Sequence, residues 1–342
     1  YRCAHNPGGA LGRFTQKANR KNSMSAKKIN SAAKVSKSIW ALTGILIGLF
    51  AVTSFIDPYF FTIPSVGITL QLAVPLGLMA AGQTICMLTG GIDLSLAMIA
   101  TGAAFIVSVK SSSGVGTALL WAALFCIVIG SINGLAVGLL GMNPLIMTLG
   151  MNAVLIGVFT VGVTTFLKGS STMPDVLVAA STGIVFFDPI SWPVIIWIVI
   201  GGSFLFLLAR TGLGRLIYAI GDNAEAARLA GAKVWQVQWA TYVICALLGG
   251  VGGILLGGQS GAVAISLANS FLLPSVAAVV IGGTSIMGGM GSYTGSIMGT
   301  LILTVLSYLL ATINSSEAVK QMIYGAIVLV LAWTYSKISQ NS

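Results

Sequence analysis

The chain has 342 residues, of which 56% are hydrophobic and only 7% are charged, and its mean hydropathy is +0.98. Soluble domains carry about 25% charged residues, so this composition excludes a soluble enzyme or a soluble nucleic-acid-binding domain. The 43 glycines lie inside long apolar runs, which argues against disorder. We therefore interpret the chain as an all-α integral membrane protein that crosses the bilayer several times.

The net charge of +10 is concentrated at the N-terminus, where residues 1–37 hold nine of the 17 basic residues. A basic segment before an apolar run is typical of a cytoplasmic tail, and we expect no nucleic-acid partner for it. Residues 1–23 differ in composition from the rest, and Met24 is an alternative start. The apolar run from Ile39 lacks a signal-peptide cleavage site, which predicts a retained anchor.

Apolar runs follow one another along the transmembrane domain predicted for residues 38–337, before a short tail at 338–342. A membrane helix needs about 20 apolar residues. Ten runs approach that length: 38–55, 66–89, 93–109, 117–140, 144–167, 192–209, 238–258, 272–288, 293–313 and 318–335. The third and eighth are short, and paired glycines in the eighth predict a broken helix.

The basic residues favour a cytoplasmic location for both termini. With that orientation 14 basic residues fall inside and three (Lys110, Lys168 and Lys320) fall outside, as the positive-inside rule requires. Two connections are long: an outer one at 168–191, expected along the membrane surface, and an inner one at 210–237. Candidate contacts for an external partner, or equally ordinary loop residues, are Asp57, Pro58, Asp175, Asp188 and Glu317.

Glycines spaced four residues apart form three rows. Such rows let membrane helices pack closely, so we expect helix packing at Gly130, Gly134, Gly138, Gly249, Gly253, Gly257, Gly291, Gly295 and Gly299. Gly261 continues the second row.

The sequence contains no catalytic, metal-binding or P-loop motif. Its single histidine is His5, and its four cysteines (Cys3, Cys86, Cys126 and Cys245) lack metal-ligand spacing and are interpreted as small core residues. Asp93 is the one carboxylate inside a predicted span, and we expect it to cap the third helix. Proton or sodium coupling normally needs buried ionisable groups, so uphill transport would draw its energy from a partner.

The inner connection contains the run GDNAEAARLAG at 221–231. Asp222 and Glu225 have capping-box spacing, residues 224–230 favour a helix, and Gly231 supplies a stop. An isolated helix of about two turns is marginal in water, so we expect it to dock on something; the alternative is a helix lying on the bilayer.

The run GDNAEAARLAGAKV is similar to the cytoplasmic loop of ribose-type sugar permeases, which reads approximately G-x-N-x-x-A-A-R-L-A-G-[IV]. These permeases are membrane subunits of ATP-binding-cassette importers. Stretches 82–97, 130–151 and 279–303 agree with the family in order and spacing, and the resemblance covers about 58–335. Asp222 and Ala232 depart from the usual residues, and residues 1–23 have no counterpart.

The resemblance implies a ten-helix permease of a bacterial cytoplasmic (inner) membrane that pairs with itself or a relative. It also implies two ATPase subunits beneath, which hold ATP and Mg²⁺, and an extracytoplasmic solute-binding protein above. This chain then performs no catalysis. Carried over residue by residue, the ATPase-coupling segment comprises Gly221, Asn223, Glu225, Ala226, Ala227, Arg228 and Gly231, with Arg228 pairing an acid on the partner.

The solute implied is ribose or a similar monosaccharide. A nucleoside or a furanose-like signal molecule is an alternative, as is passive, partner-free facilitation. A sugar path needs polar groups within the spans, and the candidates are Gln71, Gln83, Asn133 and Asn152, together with Thr84, Thr148 and Thr160. Interhelical hydrogen bonding is the alternative role for each of them.

Overall fold

The computed structural model describes residues 39–165, 171–185 and 190–340, without side chains at 163–164 and 332–340. The predicted tail, Lys168 and Asp188 lie outside the described residues. The chain divides into two units, Tyr1–Gly44 and Ile45–Ser342, and the contacts below lie within the second unit.

The regular secondary structure of the described residues consists of helices and two isolated β-bridges, joined by turns and loops. The helices are α1 (Ile39–Ile56), α2 (Ile63–Leu88), α3 (Leu96–Lys110), α4 (Val115–Gly138), α5 (Pro144–Thr164), α6 (Asp175–Thr182), α7 (Trp192–Arg210), α8 (Gly212–Asp222), α9 (Ala224–Leu229), α10 (Val234–Ser260), α11 (Leu272–Ile281), α12 (Tyr293–Thr312) and α13 (Glu317–Gln340).

Eight helices in the described ranges are long and apolar enough to cross a membrane, against the ten spans predicted. The predicted eighth span contains only the ten-residue α11, and α13 continues past the last described side chain. The chain is a multi-pass membrane protein, because exposing this much apolar helical surface to water would be unfavourable.

Helix α10 lies at the centre and packs against α2, α3 and α4. Two of the glycine rows lie in these contacts. Residues 130, 134 and 138 of α4 face α10; a Cβ on Gly134 would stand 2.7 Å from Trp239 Cα. Residues 249, 253 and 257 of α10 face α3, and a Cβ on Gly253 would overlap the Ala100 carbonyl. Small side chains thus allow the backbones to approach closely.

The third row is only partly helical. Cβ atoms on Gly295 and Gly299 would overlap carbonyls of Gly282 and Ala278, so α12 packs closely on α11. Gly291 precedes α12 and packs against Thr284 in the connecting turn. Gly261 also differs from the prediction, because it ends α10 with φ +71° and has open space around it.

Part of the outer connection, which is predicted to lie along the membrane surface, packs against the bundle. Helix α6 packs on α10, and its Ser181 is buried against Gly258. Met173, which precedes α6, is also buried and lies beside Gly257. The three described cysteines, Cys86, Cys126 and Cys245, are buried and unbridged, as predicted.

Candidate functional site

The connection between α7 and α10 folds into α8 and the six-residue α9. Asn223 caps α9, because its Oδ1 accepts a 2.9 Å hydrogen bond from the Ala226 backbone N–H. The predicted cap, Asp222, is instead the last residue of α8. Gly231 follows α9 with φ +89°, a left-handed conformation that suits glycine. The stop is therefore where the sequence predicted it, and the cap is one residue later.

One face of α9 is open to solvent. Leu229 is 81% exposed, and Arg228 forms a 2.9 Å ion pair with Glu225 on the same helix. Ala226 is also exposed, whereas Ala227 is buried against its own chain. The methyl of Ala227 therefore packs against the rest of the chain. The large apolar side chain of α9 that is available to a partner is Leu229. The sequence signal for Leu229 was its position as the one large apolar residue among alanines.

Helix α8, which precedes α9, packs against the bundle. Gly221 is half-buried against the Leu88 carbonyl and the Gly289 backbone. One turn earlier, the Tyr218 hydroxyl donates a 3.0 Å hydrogen bond to the Gly291 carbonyl. Burial raises the pKa of Tyr218, so its hydroxyl keeps its proton at neutral pH and remains a donor.

At the same end of the bundle, the predicted third span is broken before Leu96, where a buried polar network holds a non-helical stretch. Gln83 Nε2 donates to the Asp93 carbonyl (2.6 Å), and its Oε1 accepts from the Asp93 N–H (3.2 Å). Asp93 Oδ1 accepts from the Ser95 N–H (2.9 Å), and Asn133 Nδ2 donates to Ser95 Oγ (2.9 Å). Asp93 therefore orders the turn before α3 and does not cap the helix itself, because α3 begins after Ser95.

Thr148 completes the network from α5. Its hydroxyl lies within donating distance of the Pro144 carbonyl (2.9 Å) and the Ile92 carbonyl (3.1 Å), and it accepts from the Leu94 N–H (3.1 Å). Three of the candidate path residues, Gln83, Asn133 and Thr148, are thus brought together, and all three are fully or almost fully buried. Gln83 and Thr148 bond backbone groups of the non-helical stretch, whereas Asn133 bonds the Ser95 side chain.

The remaining path candidates lie elsewhere. The Thr84 hydroxyl is 2.7 Å from that of Ser296, and Thr160 is exposed and bonds the Ile156 carbonyl of its own helix. Asn152 is half-buried on α5. Gln71 does not line a cavity itself, but its backbone carbonyl accepts a hydrogen bond from Gln259, which does.

That cavity occupies the other end of the bundle, far along α2, α10 and α12 from the α8–α9 segment, and its volume is about 300 Å³. Such a volume is at the lower limit of small-molecule sites, roughly 300–1,000 Å³. About half of the lining residues carry hydroxyl, amide or carboxylate groups: Thr69, Gln259, Ser270, Thr304, Ser307, Tyr308, Glu317 and Tyr324. The rest of the wall is mainly apolar, including Leu72, Leu256, Phe271 and Pro274.

Two prolines explain part of the polarity of this wall. Pro75 lies inside α2 and has no N–H to bond the Gln71 carbonyl four residues earlier; Gln259 Nε2 donates to that carbonyl instead (3.0 Å). Pro274 stands in the same relation to Ser270, whose carbonyl accepts from Gln321 Nε2 (3.0 Å). The Gln259 amide thus lies at the cavity because it satisfies a carbonyl that proline leaves unpaired, and Gln321 does the same for the carbonyl of Ser270, a lining residue.

The described acidic residues of this end interact within the chain or lie at a helix start. Asp57 accepts a 2.8 Å hydrogen bond from the Tyr308 hydroxyl, and Glu317 pairs with Lys320 at 3.5 Å. Asp175 is the first residue of α6, where a carboxylate suits the helix dipole.

Comparison with known proteins identifies the family. Residues 65–332 match the family described as branched-chain amino acid transport system / permease component. The chain belongs to this family of permeases. It is 34% identical over 297 residues to the ribose import permease protein RbsC of Escherichia coli (strain K12), covering 84% of this chain and 90% of RbsC.

A second relative is the autoinducer 2 import system permease protein LsrC of Yersinia pseudotuberculosis serotype IB (strain PB1/+). It is 30% identical over 295 residues, covering 84% of this chain and 82% of LsrC. The resemblance to ribose-type permeases is thereby confirmed. No solved structure matches the chain.

Proposed function

We propose that this chain is the membrane subunit of a binding-protein-dependent ATP-binding-cassette importer for ribose or a similar small sugar. The observation that carries the proposal is the cavity of about 300 Å³, with its hydroxyl- and amide-bearing wall, in a chain 34% identical to a ribose import permease. Hydroxyl and amide groups can exchange hydrogen bonds with a polyol, and the apolar part of the wall can contact the ring carbons.

The proposed orientation puts α8 and α9 in the cytoplasm and the cavity on the outer side. Four basic residues, Arg210, Arg215, Arg228 and Lys233, lie at or between the ends of α7 and α10, in agreement with the positive-inside rule. Both termini then lie inside, with ten membrane passages of which α11 is incomplete. ATPase subunits would dock on the exposed face of α9, and a solute-binding protein would deliver the sugar above the cavity.

The partner ATPase would hold ATP and Mg²⁺, and a second permease chain would complete the path.

The deciding experiment reconstitutes the permease with its cognate ATPase and binding protein in lipid nanodiscs and measures ATP hydrolysis with D-ribose. Stimulation that requires both D-ribose and the binding protein is the expected result. Association without a response to D-ribose would contradict the sugar assignment and favour a nucleoside or a furanose-like signal molecule. Failure to associate with any ATPase would favour a passive facilitator.

A labelling experiment tests the cavity and its orientation. Ser307→Cys, in a chain whose Cys3 is replaced by Ser, should react with a membrane-impermeant maleimide from the outer side. D-ribose at saturating concentration should slow this reaction several-fold. Ser113→Cys is the control, since Ser113 is exposed at the same end and outside the cavity, and ribose should leave its labelling unchanged. Equal labelling of Ser307→Cys with and without ribose would argue against sugar binding in the cavity.

A further inference from the structure

Three turns from distant parts of the sequence meet at the α8–α9 end of the bundle. They are the turn after α2, the end of α8 and the turn that precedes α12. The Gly289 N–H donates a 3.0 Å hydrogen bond to the Leu88 carbonyl, which joins the first turn to the third. Gly221, near the end of α8, lies against both groups, and a Cβ on Gly221 would overlap the Leu88 carbonyl oxygen and the Gly289 nitrogen.

Gly288 and Gly289 also pack closely against the other two segments. A Cβ on Gly288 would stand 2.9 Å from the Gly90 nitrogen and 3.0 Å from the Gly221 carbonyl oxygen. A Cβ on Gly289 would stand 2.9 Å from the Asp222 nitrogen. Each of the three turns therefore contacts both of the others through main-chain atoms. We call this set, Leu88–Gly90, Gly221–Asp222 and Gly288–Gly289, the glycine junction.

The two membrane-side turns of the junction lead directly into the interrupted spans. After Gly90 the chain stays non-helical until α3 begins at Leu96, and between α11 and α12 it is non-helical from 282 to 292. A second link ties α8 to the latter turn, because the Tyr218 hydroxyl donates to the Gly291 carbonyl at 3.0 Å. Helix α12 then continues to the cavity wall at Thr304 and Ser307.

The kind of atoms in a contact decides whether the contact transmits a displacement. A contact between long side chains can absorb a displacement by a change of rotamer, because exposed rotamers interconvert readily. Main-chain atoms in van der Waals contact cannot, so a shift of α8 by a fraction of an ångström must move the turns at Leu88 and Gly289 with it. A contact of this kind links the exposed α9 to the two broken spans by packed backbone.

We propose that Gly221 is the coupling residue that transmits movement of the α8–α9 segment through the glycine junction to the non-helical stretches that precede α3 and α12. The proposal rests on the proposed function, since it takes the ATPase to be the partner that moves α9. It assigns Gly221 a role distinct from docking, because Gly221 faces the permease itself and the exposed face of α9 lies elsewhere.

The test compares two glycines of the same short helix. Gly221→Ala inserts a methyl group into the junction. Gly212→Ala is the matched control, because a Cβ there would meet nothing closer than 3.9 Å. In nanodiscs with ATPase and binding protein, Gly221→Ala should still assemble with the ATPase, but the ratio of ribose-stimulated to basal ATP hydrolysis should fall at least tenfold. Gly212→Ala should retain the wild-type ratio within a factor of two.

Tyr218→Phe provides a second variant that adds no atoms and so avoids a fold-disrupting clash. Loss of the hydrogen bond to Gly291 should lower the amount of ribose taken up per ATP hydrolysed by twofold to fivefold. A wild-type ratio in Gly221→Ala, or unchanged uptake per ATP in Tyr218→Phe, would overturn the proposal. If the wild-type chain itself fails to bind an ATPase or to respond to ribose, the proposed function fails instead, and the two failures are thereby distinguished.

Discussion

The glycine junction and the cavity lie at opposite ends of the helical bundle and are built from different kinds of contact. At the α8–α9 end, Leu88, Gly221 and Gly289 touch through main-chain atoms with no side chain between them. At the other end, α2, α10 and α12 leave a cavity of about 300 Å³, and hydroxyl and amide side chains line its wall. Backbone contacts transmit displacement, whereas polar side chains can exchange hydrogen bonds. This difference supports the proposals that movement enters at one end and that the solute contacts the other.

Replacement of Leu229, the exposed apolar residue of α9, should have the largest effect, because it disrupts the proposed contact with the ATPase. Leu229→Asp removes the large apolar side chain that we propose as the docking anchor, and an interface anchor is typically worth about 2 kcal/mol or more, or about 30-fold in affinity. We expect co-purification of the ATPase and ribose uptake to be lost, with the permease still inserted. Leu229→Met keeps the apolar surface and should assemble normally; normal assembly of Leu229→Asp would rule out the docking assignment.

Close packing at the centre of the bundle should be sensitive to a single methyl group. Gly134→Ala would place a Cβ 2.7 Å from Trp239 Cα, and overpacking costs roughly 1–3 kcal/mol. We expect a lower unfolding temperature and a lower folded yield in detergent. Gly150→Ala is the control, because nothing lies within 4 Å of its Cβ position and alanine favours a helix. Equal unfolding temperatures for the two variants would contradict the observed packing of α4 on α10.

The polar network before α3 should also be sensitive, because one side chain bonds two buried backbone groups. Gln83→Leu leaves the N–H and C=O of Asp93 without their partner, at roughly 1–3 kcal/mol for each buried group. We expect a decrease of the unfolding temperature that Thr160→Val does not show, since Thr160 is exposed and bonds its own helix. A larger effect on ribose uptake than on stability would instead favour Gln83 as a path residue.

At the cavity we expect the smallest effect, because a solute in transit replaces one weak hydrogen bond by another. Thr304→Val removes one hydroxyl from the wall, and a single hydrogen bond is worth roughly 0.5–1.5 kcal/mol, which predicts a twofold to tenfold decrease in the initial rate of ribose uptake. Thr312→Val is closely matched, since both hydroxyls bond the carbonyl four residues earlier and Thr312 does not line the cavity. Similar uptake by both variants would place the path elsewhere.

Much of the architecture could be predicted because it depends on local patterns. The apolar runs located the membrane helices, and the paired glycines of the predicted eighth span indicated its interruption. Gly231 marked the end of α9 through its backbone conformation. The helix cap was predicted one residue early, because Asp222 and Asn223 are both good caps and the length of α8 decides between them. The role of Gln83 and Asn133 was left open for a related reason, since the stretch that they hold is non-helical only in the context of its neighbours.

The sequence by itself determined the membrane character, the family and the position of the segment between α7 and α10, because composition, periodicity and short motifs are properties of the chain alone. Only the tertiary structure showed that Gly221 contacts Leu88 and Gly289, that Leu229 and not Ala227 faces outward, and that Gln259 lies at a cavity beside Gln71. These features join residues more than 60 positions apart in sequence, or depend on the rotation of a short helix against its own bundle. Packing decides such contacts, and no local pattern encodes them.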